Sequence, residues 1–254
     1  MKNVILDIVK SWANKEGNVH TTDELIAWAK YRQENLKVII EKVKFDYDGF
    51  WFYDESDGFI RNRKNSFFQL AGYREERDGV VVKEQPIILQ NEIGYLGILC
   101  KKIDGELNFL MQAKVEPGNV NTIQISPTIQ ATKSNFTAKH GGKKPAYLEY
   151  FVNEKKHTVV VDQIQSEQSS RFYKKRNRNI LLLVDSEEQI EELPSHRWMT
   201  LGQIKELMKI DNLVNMDTRT VLSCIPFFEG KFDAEEEEQI KSLFKDEALY
   251  RSIF

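Results

Sequence analysis

The stretch from Leu110 to Asn135, LMQAKVEPGNVNTIQISPTIQATKSN, combines two short apolar runs with a dense row of amides and hydroxyls. Gln112, Asn119, Asn121, Gln124, Ser126, Thr128, Gln130, Thr132, Ser134 and Asn135 are neutral hydrogen-bonding residues, and only Lys114, Glu116 and Lys133 carry charge. Ile123 and Ile125 alternate with Gln124 and Ser126, the period of a strand with one apolar and one polar face. Amides both donate and accept, so the row suits sugar hydroxyls better than an anion. The same alternation turns about half of the row away from any one surface. Pro117-Gly118 reads as a tight turn beside a Lys114–Glu116 surface ion pair, and Pro127 as an edge strand or bulge.

Upstream, Asp104-Gly105 separates ILCKKI from ELNFLMQAK and is a strong hairpin signal. From Phe50 onward, aromatic and β-branched residues broken by turn signals mark further strands, in WFYDESDGFI, SFFQLAGY and PIILQNEIGYLGILC. Before them, Val4, Ile5, Ile8, Val9 and Trp12 recur at helical spacing, and Thr21 with Glu24 forms a capping box for a second helix. Downstream come strands at HTVVVDQI and NILLLV, and a helix opened by Thr200 and Gln203. Another is capped by Asn215, and a last one begins in the FDAEEEEQ run. The expectation is an α+β fold: two N-terminal helices, a mixed sheet and closing helices. No repeat or linker divides it, so residues 1–254 read as a single domain with a helical segment over 1–44.

At 254 residues, 41% hydrophobic and 30% charged, the chain can bury a substantial core. Its net charge of -3 gives no general attraction to nucleic acid or to an anionic membrane, so neither is expected as a partner. No apolar run approaches the roughly 18 residues that span a bilayer, and Met1 to Ser11 lacks a signal-peptide plan. Cys100 and Cys224 sit in apolar runs without CxxC spacing, which suits buried packing in a reducing compartment; a cytoplasmic location is expected. There is no GxGxxG, GxxxxGK[ST], GxSxG or HExxH string, so Rossmann cofactor, P-loop, serine-hydrolase and zincin chemistry lack their signatures. No cofactor and no metal are expected.

Against the acidic whole, Gln163 to Asn179, QIQSEQSSRFYKKRNRN, gathers Arg171, Lys174, Lys175, Arg176 and Arg178 around Phe172 and Tyr173. Guanidinium groups match phosphate oxygens in pairs and a ring can stack on a base, so a nucleoside diphosphate fits. An ordinary basic strand edge fits equally well. In NMDTRTVL, Asp217 and Arg219 stand two apart on a helix and face different partners, or serve as a capping aspartate and an exposed arginine.

Together the strings LMQAKVEPGNVNTIQISPTIQATKSNF, His140-Gly141-Gly142, DQIQSEQSSRFYKKRNRN and WMTLGQIKELMKIDNLVNMDTRTVLSCIP strongly resemble the nucleotide-sugar 2,3-dehydratases of deoxysugar biosynthesis. QPIILQNEIGYLGIL fits as well, and the resemblance runs from about Trp51 to Pro226. It implies a Nudix-like core without the Nudix box, and a thymidine-diphosphate-linked 4-keto-6-deoxyglucose as substrate. It also implies a 3,4-diketo-2,6-dideoxy product for an NADPH-dependent 3-ketoreductase downstream. Family members usually carry two copies of this unit and this chain carries one, so pairing as a homodimer is expected.

The 4-keto group acidifies the proton on carbon 3, and its removal lets the carbon-2 hydroxyl leave with no net redox change. Such a site needs a base, donors for an enolate and an acid. Glu116 or His140 suits the base, Lys114 or Tyr147 the donor, with Glu167 as a reserve acid or base. Binding falls to Arg171, Lys175, Arg176, Arg178 and Arg219 for the diphosphate and to Phe172 or Tyr173 for the thymine. Gln112, Asn119, Gln124, Ser126, Thr128 and Gln130 fall to the sugar, Gln165 to the substrate as a whole, and Asp217 to a hydroxyl or an arginine. The rival expectation is a protein of the same fold that binds a sugar nucleotide without turning it over.

Overall fold

A capping box opens the second of two leading helices, α1 (Lys2–Ala13) and α2 (Thr22–Asn35): the Thr21 hydroxyl accepts from Glu24 N and the Glu24 carboxylate from Thr21 N. The computed structural model describes residues 2–36, 38–44, 49–132, 144–226 and 232–244. After the helices come β1 (Trp51–Asp54), β2 (Phe59–Asn62), β3 (Gln69–Arg77) and β4 (Val80–Leu89), an antiparallel sheet in that order. Its β3–β4 hairpin turns on Asp78-Gly79, both at positive φ, a second Asp-Gly hairpin signal that the sequence reading passed over.

The larger sheet has seven strands, β5 (Gly94–Ile103), β6 (Glu106–Val115), β7 (Ile123–Ser126), β8 (Ile129–Thr132), β9 (Thr158–Ser166), β10 (Arg176–Leu183) and β11 (His196–Met199). The strands run β11-β6-β5-β10-β9, with β7 added to β6 and β8 to β5. Only β5 and β10 pair in parallel, so the sheet is mixed, as expected. The β5–β6 hairpin turns on Asp104 and Gly105, at φ 50° and 84°, the geometry of a type I′ turn. Helix α3 (Leu148–Val152) precedes β9, and α4 (Leu201–Leu207), α5 (Met216–Ser223) and α6 (Ala234–Phe244) follow β11.

Both faces of the central strands are covered. Ile98, Cys100, Phe109, Met111 and Leu181 belong to the core under α1, α2, α4 and α6, whereas Leu99, Leu110, Ile180 and Leu182 pack with Phe151 and Trp198 on the other side. This double burial is why GILC, NFLM and ILLL read as unbroken apolar runs. Cys100 is fully buried, and burial raises its thiol well above the usual range.

One feature of the sheet positions the site. β5 and β6 pair from Ile103↔Glu106 only as far as Leu99↔Leu110, and then part. Beyond that point β5 pairs with β8 and β6 with β7. Thr128 sits buried at the fork: its hydroxyl accepts from Leu99 N at 2.9 Å and donates to Leu110 O. The two separated strand ends therefore have fixed positions, and polar side chains can stand between them.

Candidate functional site

An open cleft of ≈ 370 Å³ lies at the parted end of the sheet. β6 supplies Lys114 and leads to Glu116, β8 supplies Gln130, and the β9–β10 connection supplies Glu167, Phe172 and Lys175. Asn177 comes from β10 and Asp217 from the first turn of α5. Charge-assisted hydrogen bonds order one wall: Lys114 Nζ lies 3.2 Å from Glu116 Oε1, and Gln130 Nε2 donates to the same oxygen at 2.8 Å. Gln130 is held in turn by Asn215, whose Nδ2 donates to Gln130 Oε1 at 3.2 Å. Asn215 also caps α5, its side chain accepting from Thr218 N at 2.9 Å, and its own N–H donates to Ile125 O. The cap thereby fastens α5 to β7 and carries Asp217 to the cleft.

The opposite wall is organised around Glu167. Asn177 Nδ2 donates to Glu167 Oε2 at 2.6 Å and Gln168 N to Glu167 Oε1 at 3.1 Å. A Cβ on Gly94 would stand 2.4 Å from Asn177 Oδ1, so only glycine leaves that amide its place. Lys175 is 5% exposed and its ammonium donates to Glu92 O; burial lowers its basicity, against the attraction of Glu167 and Glu92. Burial pushes the Asp217 carboxyl up to about 6, with added repulsion from Glu167 and Glu116 and a smaller opposing effect of Lys114. A carboxyl held near 6 can both give and take a proton around neutral pH.

Of the residues singled out from sequence, Lys114, Glu116, Gln130, Glu167, Phe172, Lys175 and Asp217 thus share one cleft. Gln165 lines a smaller chamber beside it and donates to Cys224 Sγ at 2.7 Å. The rest stand elsewhere. Tyr147 is buried on the far face, its hydroxyl donating to Glu191 O and accepting from Leu193 N. Ser126 is buried and donates to Gln112 O and Pro127 O, while Thr128 holds the fork. Gln112 pairs with Ser126 and His196 in the sheet, Gln124 lies opposite Lys114 on β7, and Asn119 bonds within its own turn to Thr122 O.

The arginines divide similarly. Arg178 is bound to Glu154 at 2.9 Å and to Asp162 at 2.6 Å and stacks on Tyr95, and those acceptors hold its proton even more firmly than usual. Arg219 donates to Met208 O and Val214 O. Arg171 and Arg176 are exposed and do not line the cleft. The neighbouring Lys174 stands over the ring of exposed Tyr173. His140 lies outside the described residues. Sequence reading passed over Asn177, whose only local signal is the polar alternation RNRN, and gave Asn215 as a helix cap without a part in the site.

The α+β fold carries a cleft lined by carboxylates and lysines, groups able to move protons. A family model, NDP-hexose 2,3-dehydratase, matches residues 22–225, and the chain belongs to that family. It is 46% identical over 211 residues to a dTDP-4-dehydro-6-deoxy-alpha-D-glucopyranose 2,3-dehydratase of Saccharopolyspora spinosa, across 82% of this chain and 43% of that protein. It is 41% identical over 231 residues to a protein of the same name from Amycolatopsis orientalis, across 87% of this chain and 48% of that one. The chain thus spans less than half the length of these curated relatives.

Among solved structures, an ADP compounds hydrolase is 12% identical with a TM-score of 0.39, over 65% of this chain and 86% of that one. The Ap4A hydrolase of C. elegans is 12% identical with a TM-score of 0.35, over 55% of this chain and 98% of that one. At such scores the α+β class rests on the strands and helices themselves. No helix among the described residues is long and apolar enough to cross a membrane.

Proposed function

We propose that this chain dehydrates a nucleoside-diphosphate-linked 4-keto-6-deoxyhexose across carbons 2 and 3, with dTDP-4-keto-6-deoxyglucose as the substrate. The observation that carries the reading is the convergence of Glu116, Glu167 and Asp217 with Lys114 and Lys175 in the cleft of a chain of this family. Carboxylates can move the carbon-3 proton and the proton that accompanies the departing hydroxyl. Ammonium groups favour the negative charge that builds on the carbon-4 oxygen. Phe172 offers a flat ring to the thymine, and Gln130 an amide to a sugar hydroxyl. Arg178 is committed to Glu154 and Asp162, and Arg171 and Arg176 do not line the cleft, so the diphosphate falls to Lys175.

The test couples the chain to a 3-ketoreductase and NADPH, because the diketone is labile. Loss of one water from dTDP-4-keto-6-deoxyglucose, read by mass spectrometry, is the expected result, and an unchanged substrate would sink the reading. An unchanged but bound substrate would favour the alternative of a non-catalytic sugar-nucleotide-binding protein, which the chain's match to less than half of its relatives keeps in play. Pairing of two copies as a homodimer belongs to the same proposal. It requires sedimentation equilibrium to give twice 29.7 kDa.

A further inference from the structure

The three carboxylates of the cleft differ in what holds them. Glu116 accepts from the Lys114 ammonium and the Gln130 amide. Glu167 accepts at both oxygens, from Gln168 N and Asn177 Nδ2. Asp217 receives no hydrogen bond from any described residue. Donors stabilise an ionised carboxylate; a desolvated carboxyl without them, facing two like charges, favours its protonated form. Position separates Asp217 from Glu116 but not from Glu167: both Asp217 and Glu167 stand where the cleft meets a chamber of ≈ 30 Å³ walled also by Leu96, Gln165, Asn179 and Thr220. Asn179 Oδ1, in that wall, is buried and takes no hydrogen bond from the described residues. The chamber has room for roughly one or two water molecules.

On the dehydratase reading, we infer that Asp217 is the general acid, handing its proton to the hydroxyl that leaves carbon 2, while Glu116 or Glu167 takes the proton from carbon 3. The C3–H bond breaks and its electrons form the enolate of the 4-ketone. The enolate re-forms the carbonyl, places a double bond between carbons 2 and 3 and breaks the C2–O bond. The leaving oxygen takes the Asp217 proton and departs as water. The resulting 3-enol tautomerises by losing its hydroxyl proton and gaining one at carbon 2. The base's proton passes to solvent and Asp217 regains one from solvent, so nothing is oxidised or reduced. Asp217 is faced by Glu167 from the β9–β10 connection and by Glu116 and Lys114 from the β6 end, and its position near 6 leaves part of the population protonated at neutral pH.

The deciding variant is Asp217→Asn, which keeps the shape and removes no hydrogen bond from the carboxyl. In D₂O it should shed water from dTDP-4-keto-6-deoxyglucose about a hundredfold more slowly than wild type or worse. Its recovered substrate should still gain deuterium at carbon 3 at least as fast as wild type sheds water. A 2-deoxy-2-fluoro analogue, whose fluoride leaves without a proton, should be eliminated by the variant at close to the wild-type rate. Wild-type water loss by Asp217→Asn would overturn the assignment. So would joint loss of carbon-3 exchange and elimination, which marks a base, or fluoride loss as slow as water loss. If wild type neither exchanges nor eliminates with either substrate, the dehydratase reading itself falls and this assignment with it.

Discussion

Glu116→Gln is expected to slow turnover of dTDP-4-keto-6-deoxyglucose by about a hundredfold or more while leaving the chain folded. The substitution preserves volume but removes the carboxylate on that wall, a group able to accept a proton. Glu116 Oε1 is the common acceptor of Lys114 Nζ and Gln130 Nε2, so the carboxylate is pre-placed rather than searching rotamers. An amide in its place presents either a poorer acceptor or an N–H facing two donors. Lys114 would lose its charged partner and keep Gln130 O, and Gln130 would keep only Asn215, so KM should rise along with the fall in kcat. Steady-state kinetics with the coupled reductase, beside a melting curve, reads both. Turnover at the wild-type rate would pass the base role to Glu167 or to His140.

A second large effect concerns pH and stability on the far face. His196 is fully buried, with Ser195 Oγ 3.0 Å from its Nδ1 and Thr128 O 3.1 Å from its Nε2. Burial pushes its pKa down to about 4 from an ordinary value of 6.5, against the hydrogen bond to Thr128 and the attraction of Glu192; Arg197 and Arg32 add to the lowering. The unfolded chain therefore takes up this proton first as pH falls. The stability carried by neutral His196 is complete above about 6.5 and is lost on acidification toward about 4. With about 1.4 kcal/mol per pKa unit, the full loss is about 3 kcal/mol.

Asp217 acts with the opposite sign. Its folded pKa of about 6 lies above the unfolded value of 3.8, so its protonated form favours folding at low pH and its ionisation weakens the fold as pH rises toward 6. The two residues partly cancel in wild type, and the informative measurement is a difference. Urea unfolding of wild type and His196→Gln should show a gap near pH 7 that closes by about 3 kcal/mol by pH 4. A gap constant across that range would mean that His196 is charged or hydrated in the fold. The consequence reaches the cleft, since His196 contacts Thr128 and Thr128 holds the fork between β5 and β6.

Local signals in the sequence were mostly legible. The capping boxes at Thr21 and Thr200 form as the spacing implied, the Asn215 cap and the Asp104-Gly105 turn are present, and the strands at HTVVVDQI and NILLLV fall in place. These depend on residues within a few positions of one another. The site was half legible. Lys114, Glu116, Gln130, Glu167, Phe172, Lys175 and Asp217 are legible, because an unusual polar row, a basic segment and an odd Asp-Thr-Arg string stand out against apolar surroundings. Ser126 and Thr128 looked identical to Gln130 on that row, yet they bond strand backbone. Arg178 looked like its neighbours, yet it is committed to Glu154 and Asp162.

By itself the sequence determined the element types, the turns and the family, since propensity, caps and colinear strings are properties of the chain read in order. Only the tertiary structure decided which polar side chains share a cleft and which of three carboxylates goes without a donor among the described residues. Desolvation and the field of nearby charges depend on distance in space. At Asp217 they are set by Glu116, Glu167 and Lys114, contributed by segments about fifty to a hundred positions away.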